Sequence, residues 1–299
     1  MTNTVNGPYI VTGASGHLGR LVVNNLLAAG KGPIIAITRS PDKISDLTEK
    51  GIDVRQGDFN EPSKLAAAYA GGKRLLIIST DDLEPGKRLV SHANAIRAAV
   101  DSGIEHIVYT SLTNPVAESP ITFSTDHRDT EAMLADSGIS SSILRNNIYT
   151  DMLLMGGGQS IAMGKHFAAS ADGRTGYVTR ADCASAAAAA LMQETRSRVF
   201  NITGPGSITQ TDVAAILSEI AGKDVSYIPI SNNELRDAMI ANGLPEFMAT
   251  VFASFDEAFA QGFFDVTSGD LAELTGQPGQ SVREFLTDNK AALLAPPQS

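Results

Sequence analysis

The 299-residue chain has 43% hydrophobic, 19% charged and 6% aromatic residues, which is typical of a globular protein with room for one large domain or two modest ones. Its net charge of −10 and its lack of any basic tract argue against nucleic acid and anionic membranes as partners. The single cysteine, Cys183, excludes an intrachain disulfide and lies among small residues, so we expect a buried structural thiol. The chain has no apolar run of the ~18 residues that a membrane span needs and no signal-like N-terminus, so the cytoplasm is its expected location.

The first two hundred residues alternate short β-branched runs with longer helical patterns. The short runs are apolar throughout, which indicates strands buried on both faces of a parallel sheet. The sequence therefore predicts an α/β fold with a doubly wound parallel sheet of the Rossmann type. The predicted strands are Tyr9–Thr12, Ile34–Thr38, Asp53–Gln56, Arg74–Ser79, His106–Thr110 and Ser141–Leu144. Helices are predicted around residues 17–29, 61–70, 86–102 and 124–137.

The pattern changes after Tyr149, where residues 156–158 are three consecutive glycines that predict a loop or hinge. Short strands are predicted near His166–Ser170 and Gly176–Thr179, and a returning strand at Val199–Thr203. Further helices are indicated by serine or threonine followed three residues later by an acidic residue, which is the spacing of a capping box. These pairs are Thr179 and Asp182, Thr209 and Asp212, Ser231 and Glu234, and Ser281 and Glu284.

We therefore predict a dinucleotide-binding domain over residues 1–150, with its last strand returning near residues 198–204. A smaller, mainly helical C-terminal lobe over residues 151–299 is expected to bind the substrate. Residues 1–150 carry a charge of −2 and residues 151–299 a charge of −8. The first part is therefore the better place for an anionic ligand.

A glycine-rich turn follows the first predicted strand and opens the first helix. Glycines at this spacing turn the chain tightly, let backbone N–H groups approach a pyrophosphate, and bring the helix close to the sheet. The strand before it and the helix after it are the context that dinucleotide binding requires, although a turn that serves packing alone is the alternative. The predicted cofactor-binding residues of this turn are Gly13, Ser15, Gly16, His17, Leu18 and Gly19.

The ends of the next strands supply further candidates for the cofactor site. Arg39 stands where an NAD site would have an acidic residue, and a guanidinium can hold a 2′-phosphate, so we expect NADP(H) to be preferred over NAD(H). A solvated loop arginine is the alternative. Asp58 and Phe59 follow the third strand and are expected beside the adenine, although Asp58 could equally be a charge at a helix N-terminus. Ser79 and Thr80 end the fourth strand, beside the expected ribose.

These motifs in series resemble an atypical short-chain dehydrogenase/reductase of the NmrA-like group, with most likeness to type-2 NAD(P)H:quinone oxidoreductases and triphenylmethane reductases. The resemblance extends over nearly the whole chain. It implies NADPH binding and the reduction of quinones or related small-molecule electron acceptors. The residues that carry it are the glycine-rich turn, Thr38-Arg39, Gly57-Asp58-Phe59, Tyr109-Thr110-Ser111, His127, Thr130-Glu131, Leu144-Arg145-Asn146, Tyr149 and Thr179-Arg180-Ala181-Asp182.

The Tyr-x-x-x-Lys pair of common short-chain reductases is missing where it belongs, because the sequence has no lysine between Lys87 and Lys165. Only Tyr69 and Lys73 have this spacing, and they precede the fourth strand. Ordinary alcohol dehydrogenation and epimerisation need such a pair to move a proton. The sequence instead favours direct hydride transfer, without flavin or metal, to an acceptor that is already electrophilic.

Three residues are candidates for the catalytic chemistry. Asn146 follows the sixth strand and could donate to a quinone oxygen, although capping of the turn is equally compatible. Tyr149 could donate a proton, stack on the acceptor or pack the lobe. His127 could titrate near neutral pH or be a surface residue of its helix. Ser111, after the fifth strand, is expected to bond the nicotinamide amide.

Two alternatives and one open question accompany this interpretation. A non-catalytic NmrA-like redox sensor would bind NADP(H) and act through a protein partner, with the acidic lobe as its contact surface. Triarylmethane dyes, azo or nitro compounds and enones could replace a quinone at the same site. The scattered histidines have no metal-ligand spacing, and a homodimer is left open.

Overall fold

The computed structural model describes residues 7–84, 86–193 and 197–295. These residues form eleven strands, two 3-10 helices and thirteen α-helices. The strands are β1 (Tyr9–Val11), β2 (Ile34–Thr38), β3 (Asp53–Gln56), β4 (Arg74–Ile77), β5 (His106–Leu112), β6 (Ser140–Asn146), β7 (Lys165–Ala168), β8 (Arg174–Thr175), β9 (Arg198–Ile202), β10 (Ile208–Thr209) and β11 (Ser226–Pro229).

The helices alternate with the strands as far as β9 and dominate the chain after it. They are α1 (His17–Ala28), α2 (Ser45–Glu49), α3 (Pro62–Tyr69), α4 (Lys87–Asp101), α5 (Ser124–Asp136), α6 (Leu153–Met163), α7 (Arg180–Met192), α8 (Gln210–Ala221), α9 (Asn232–Ala241), α10 (Glu246–Ala260), α11 (Asp270–Thr275), α12 (Val282–Asp288) and α13 (Lys290–Leu294). No helix in the described part of the chain is long and apolar enough to cross a membrane.

Seven strands form one parallel sheet in the order β3-β2-β1-β4-β5-β6-β9. Every residue of β2 and β5 is buried, because helices cover both faces of the sheet. One apolar cluster packs α1 and α7 against one face, and a second packs α3 and α4 against the other. The predicted doubly wound Rossmann sheet is therefore confirmed, and β9 is the predicted returning strand.

Helix α7 is rich in alanine and packs along α1. Small side chains allow the two helices to approach closely, and Cys183 is buried between small neighbours, as predicted. Thr179 caps α7 by accepting a 3.0 Å bond from the backbone N–H of Asp182. The Asp182 carboxylate accepts bonds from the Thr179 hydroxyl and from Gln280 N, which ties the helix start to the C-terminal region.

The structure corrects two local predictions beyond residue 150. The three glycines at 156–158 lie inside α6 and do not form a loop or hinge, because this helix packs closely against α13. The strand expected at Gly176–Thr179 begins earlier, as β8, and Val178 makes only an isolated bridge to Tyr149. The capping boxes that open α8, α9 and α12 are all formed. The division into two domains at residue 150 stays a prediction.

Candidate active site at the carboxyl edge of the sheet

A cavity of about 900 Å³ opens at the carboxyl ends of the central strands. Its wall includes Thr12 and Gly13 after β1, Thr38 at the end of β2, Ile78 after β4 and Thr110 in β5. Strand order reverses between β1 and β4, because the chain runs outward to β3 on one side and to β6 on the other. Open parallel sheets bind ligands in the crevice formed at such a reversal.

The glycine-rich turn forms one end of this cavity. Gly13 has a φ of +61°, a conformation that side chains disfavour. A Cβ atom on Gly19 would collide with the carbonyl oxygen of Gly13, so glycine is required for α1 to start this close to the turn. Gly16 precedes α1 and has no side chain to cap its first N–H groups. The turn therefore fits a phosphate-bearing dinucleotide, which would accept hydrogen bonds from those groups.

Positive charge lies beside the turn, at the end of β2. Arg39 and Lys43 both line the cavity. Arg39 is exposed and makes no hydrogen bond or ion pair with any residue that the structure describes. Beneath it the Thr38 hydroxyl bonds the hydroxyl of Ser15 at 2.7 Å and accepts from Ser40 N at 3.1 Å, which fixes the backbone on either side of Arg39. A free guanidinium in this position can bind a phosphate monoester.

Asp58 and Phe59 line the same cavity. The Asp58 carboxylate accepts a 2.9 Å bond from the backbone N–H of Asn60, so the local turn uses one of its oxygens. The carbonyl of Phe59 accepts a bond from Asn94 on α4, which ties the segment to that helix. The bond from Asn60 is a local contact of the kind expected if Asp58 serves the start of the next helix. Asp58 also lies on the cavity wall, where a ligand can reach it.

The segment after β4 forms the centre of the cavity wall. Ser79 N donates to the Thr110 hydroxyl at 2.9 Å, and Thr80 N donates to Nε2 of His92 at 3.1 Å. The Thr80 hydroxyl oxygen is buried and has no partner among the described residues, so it is available to a ligand. Ser111, in contrast, donates to Glu131 at 2.6 Å and does not line the cavity.

Tyr149, three residues after the end of β6, also lines the cavity. The guanidinium of Arg180 lies 5.0 Å from the centre of its ring, and Asp151 holds that guanidinium through a 2.9 Å ion pair. Asn146 donates from Nδ2 to the Tyr149 hydroxyl at 3.5 Å, while its buried Oδ1 lacks a partner in the described structure. Burial raises the pKa of Tyr149, so the hydroxyl keeps its proton at neutral pH.

His127 is buried and lies outside the cavity wall. Its Nδ1 bonds the hydroxyl of Tyr109 at 2.8 Å, and Phe123 packs edge-on against its ring. Burial, together with the charge of Arg88, lowers its pKa well below the usual value. The expectation that it titrates near neutral pH is therefore wrong, and so is the alternative of a surface position, because enclosure by Phe123 and Tyr109 depends on the tertiary fold.

Of the predicted cofactor-binding residues, all except Ser111 line this one cavity, and of the three catalytic candidates only Tyr149 does. Sequence reasoning missed Phe247 and Met248, which reach the cavity from the start of α10. Arg180, which belongs to the motif Thr179-Arg180-Ala181-Asp182, also lines the cavity, where it lies on Tyr149 and pairs with Asp151. The apolar pattern of α10 was visible, but its direction depends on the tertiary fold.

Comparison with known proteins gives four consistent findings. A family described as NAD(P)H-binding matches residues 13–194. Quinone oxidoreductase 2 of Escherichia coli is 35% identical over 279 residues, which cover 93% of this chain and 96% of that protein. The crystal structure of the NADPH complex of the E. coli NADPH-dependent quinone oxidoreductase has a TM-score of 0.88 and 34% identity, covering 96% of this chain and 100% of that chain. The Citrobacter triphenylmethane reductase complex with NADP(H) has a TM-score of 0.87 and 36% identity, covering 94% and 99%. The resemblance drawn from the sequence motifs is confirmed.

Proposed function

Because this chain belongs to the NAD(P)H-binding family of Rossmann-fold oxidoreductases, we propose that it is an NADPH-dependent reductase of quinones or similar electrophilic acceptors. The observation that carries the proposal is that one cavity joins the unpaired guanidinium of Arg39 at one end to Tyr149 at the other. An extended dinucleotide with a 2′-phosphate matches the polar groups between them. The names of the relatives, a quinone oxidoreductase and a triphenylmethane reductase, support this class of acceptor.

The cofactor would be held mainly by backbone groups and short polar side chains. The N–H groups at the start of α1 and the turn from Gly13 to Gly19 suit its pyrophosphate. Arg39 and Lys43 suit the 2′-phosphate, and the unpartnered hydroxyl of Thr80 suits a polar group of the ribose or nicotinamide. When bound, NADPH supplies a hydride, which is two electrons and one proton.

Tyr149 would act on the acceptor, and Asn146 would position the Tyr149 hydroxyl. The Tyr149 hydroxyl keeps its proton because burial raises its pKa, so it can donate a hydrogen bond to an acceptor oxygen. Asn146 donates to the same hydroxyl, which leaves the Tyr149 proton free to point at the ligand. A quinone that takes a hydride needs one further proton to become a hydroquinone, and solvent would supply it, because a tyrosine of raised pKa donates a hydrogen bond but does not readily release its proton. Positioning contributes most, since aromatisation stabilises the product oxyanion.

The side chains of α5 support an electrophilic acceptor over an ordinary ketone. Helix α5 follows β5, where the Tyr-x-x-x-Lys pair of common short-chain reductases belongs, and it contains neither tyrosine nor lysine. The Glu131 carboxylate on this helix is bound to Arg145 at 2.6 Å and to the Ser111 hydroxyl. The helix therefore offers no lysine that could lower the pKa of a neighbouring hydroxyl.

The test is NADPH consumption by the purified protein with 1,4-benzoquinone and menadione, with NADH in parallel. We expect turnover above the uncatalysed rate and a preference for NADPH. Arg39→Ala removes a charge-assisted bond, so it should raise the KM for NADPH by about 10- to 100-fold and the KM for NADH by less than about threefold. Arg97→Ala, which removes an exposed arginine outside the cavity, is the matched control.

The possible outcomes separate the two interpretations of the cavity. Tight NADPH binding with no turnover on any acceptor would contradict a reductase and favour the sensor of the NADP(H) ratio. Equal effects of Arg39→Ala on both cofactors would remove Arg39 from the phosphate site, whatever the acceptor.

A further inference from the structure

Three side chains from beyond residue 150 line the cavity: Arg180, Phe247 and Met248, which we call the acceptor wall. The other described residues of the cavity come from the first 150 positions, and most lie around the expected dinucleotide. Arg180 stacks on the ring of Tyr149, the residue proposed to meet the acceptor oxygen. Arg180 thus places one member of this wall at the proposed chemistry, and Phe247 and Met248 line the same cavity.

Phe247 and Met248 give this wall an apolar, polarisable surface. Phe247 is 46% exposed, although it is a large aromatic residue on a helix whose following turns are buried. Both side chains line the cavity, so they offer an apolar surface to a ligand bound there. Because successive helical residues point about 100° apart, the two side chains form a broad surface and not a single point of contact.

Helix α10 holds this surface in a fixed place through its C-terminal half. Phe255 packs edge-on against Phe123 of the first 150 residues, with ring centres 6.0 Å apart. The carboxylate of Asp256 accepts 2.8 Å bonds from Ala169 N and from the Ser170 hydroxyl. A wall that is anchored in this way can distinguish ligands by shape, because it does not adjust freely to each of them.

We propose that the acceptor wall selects flat, fused-ring acceptors of the naphthoquinone class over single-ring quinones. This inference rests on the proposed function. A single ring that reaches Tyr149 can cover only part of the surface formed by Phe247 and Met248. A fused second ring extends over both side chains and gains aromatic and thioether contacts.

The first test compares the kcat/KM values of two acceptors in two variants. Phe247→Ala should lower kcat/KM for menadione by about tenfold and for 1,4-benzoquinone by less than about threefold, because only the larger acceptor loses a ring contact. The dissociation constant of NADPH should stay the same. Phe167→Ala removes a phenylalanine of similar exposure (39%) away from the cavity, and it should leave kcat/KM unchanged for both acceptors. Equal losses for both acceptors would overturn the proposal.

A second test does not depend on turnover. The sequence contains no tryptophan, so Phe247→Trp and Phe167→Trp each place a single indole in the protein. With the site saturated by NADP⁺, menadione should quench the indole at 247 at concentrations at least about fivefold below those that benzoquinone requires. Menadione should quench the indole at 167 only by collision. Equal quenching at both positions would overturn the acceptor wall. A Phe247→Trp protein that binds menadione in this assay, from a wild type that never consumes NADPH, would contradict the proposed function and leave this inference standing.

Discussion

Asn146 and Asn147 are neighbours after β6, and their side chains have different surroundings. Asn147 accepts a 2.8 Å bond from Ile148 N and donates to the carbonyl of Phe264 at 3.2 Å, so it fixes the turn and joins it to the C-terminal region. The side chain of Asn146 reaches only the hydroxyl of Tyr149 within the described structure. The turn-forming role that the sequence left open for Asn146 is thus filled by Asn147.

This contrast predicts opposite effects for two similar substitutions. Asn146→Ala should lower kcat by about tenfold or more, because the Tyr149 proton is no longer directed at the acceptor. The NADPH affinity and the free energy of unfolding should stay the same. Asn147→Ala should lower stability by about 1–3 kcal/mol, since it leaves the backbone N–H of Ile148 without its partner and removes the bond to the carbonyl of Phe264. Steady-state kinetics, NADPH titration and urea unfolding measure the three quantities. Unchanged turnover in Asn146→Ala would rule out its proposed role.

At the scale of elements, α6 shows how packing overrides local propensity. Three consecutive glycines lower the helix propensity of this segment, and for this reason the sequence predicts a loop. Gly157 and Gly158 lie under Leu293 of α13, where a Cβ atom at 157 would come within 2.6 Å of the Leu293 side chain. Gly156 has open space in the same position. The glycines at 157 and 158 therefore let α13 approach α6, whereas the one at 156 has no such role.

Alanine substitutions should separate these two cases. Gly156→Ala is expected to stabilise the protein by about 0.5–1 kcal/mol, because alanine loses less backbone entropy in a helix. Gly157→Ala gains the same entropy but must displace the buried Leu293, at a cost of about 1–3 kcal/mol. The difference between the two unfolding free energies in urea is the measurement. A similar gain from both substitutions would show that α13 does not rest on this face of α6.

For the whole molecule, features that depend on residues close together in the sequence could be predicted. Features that depend on contacts between distant residues could not. The βαβ order, the glycine-rich turn and Arg39 are local patterns, and the rule that parallel strands end at one edge brings them together. The position of Phe247 depends on contacts such as that of Phe255 with Phe123, more than 130 residues away in sequence. Such a contact leaves no periodic signal, so the cofactor end of the cavity was predictable and the acceptor wall was not.

The interior also contains three buried histidines, which share one electrostatic property. Burial, aided by a nearby arginine, lowers the pKa of His92 to about 3 and of His106 to about 4, and lowers the pKa of His127 well below its usual value. The arginines are Arg88 for His92 and His127, and Arg74 for His106. All three histidines are therefore neutral in the folded protein at pH 5–7.

Unfolding below the ordinary histidine pKa of about 6.5 therefore takes up protons, and stability falls as the pH falls from there toward the folded values. Each buried histidine contributes a slope of up to about 1.4 kcal/mol per pH unit in this window. We expect His106→Gln, which can still bond Ser140 and Ser142, to reduce the slope of unfolding free energy against pH by about one proton between pH 4.5 and 6. Urea titrations of the wild type and the variant across this range provide the measurement, and identical slopes in both proteins would mean that His106 is already protonated in the folded state.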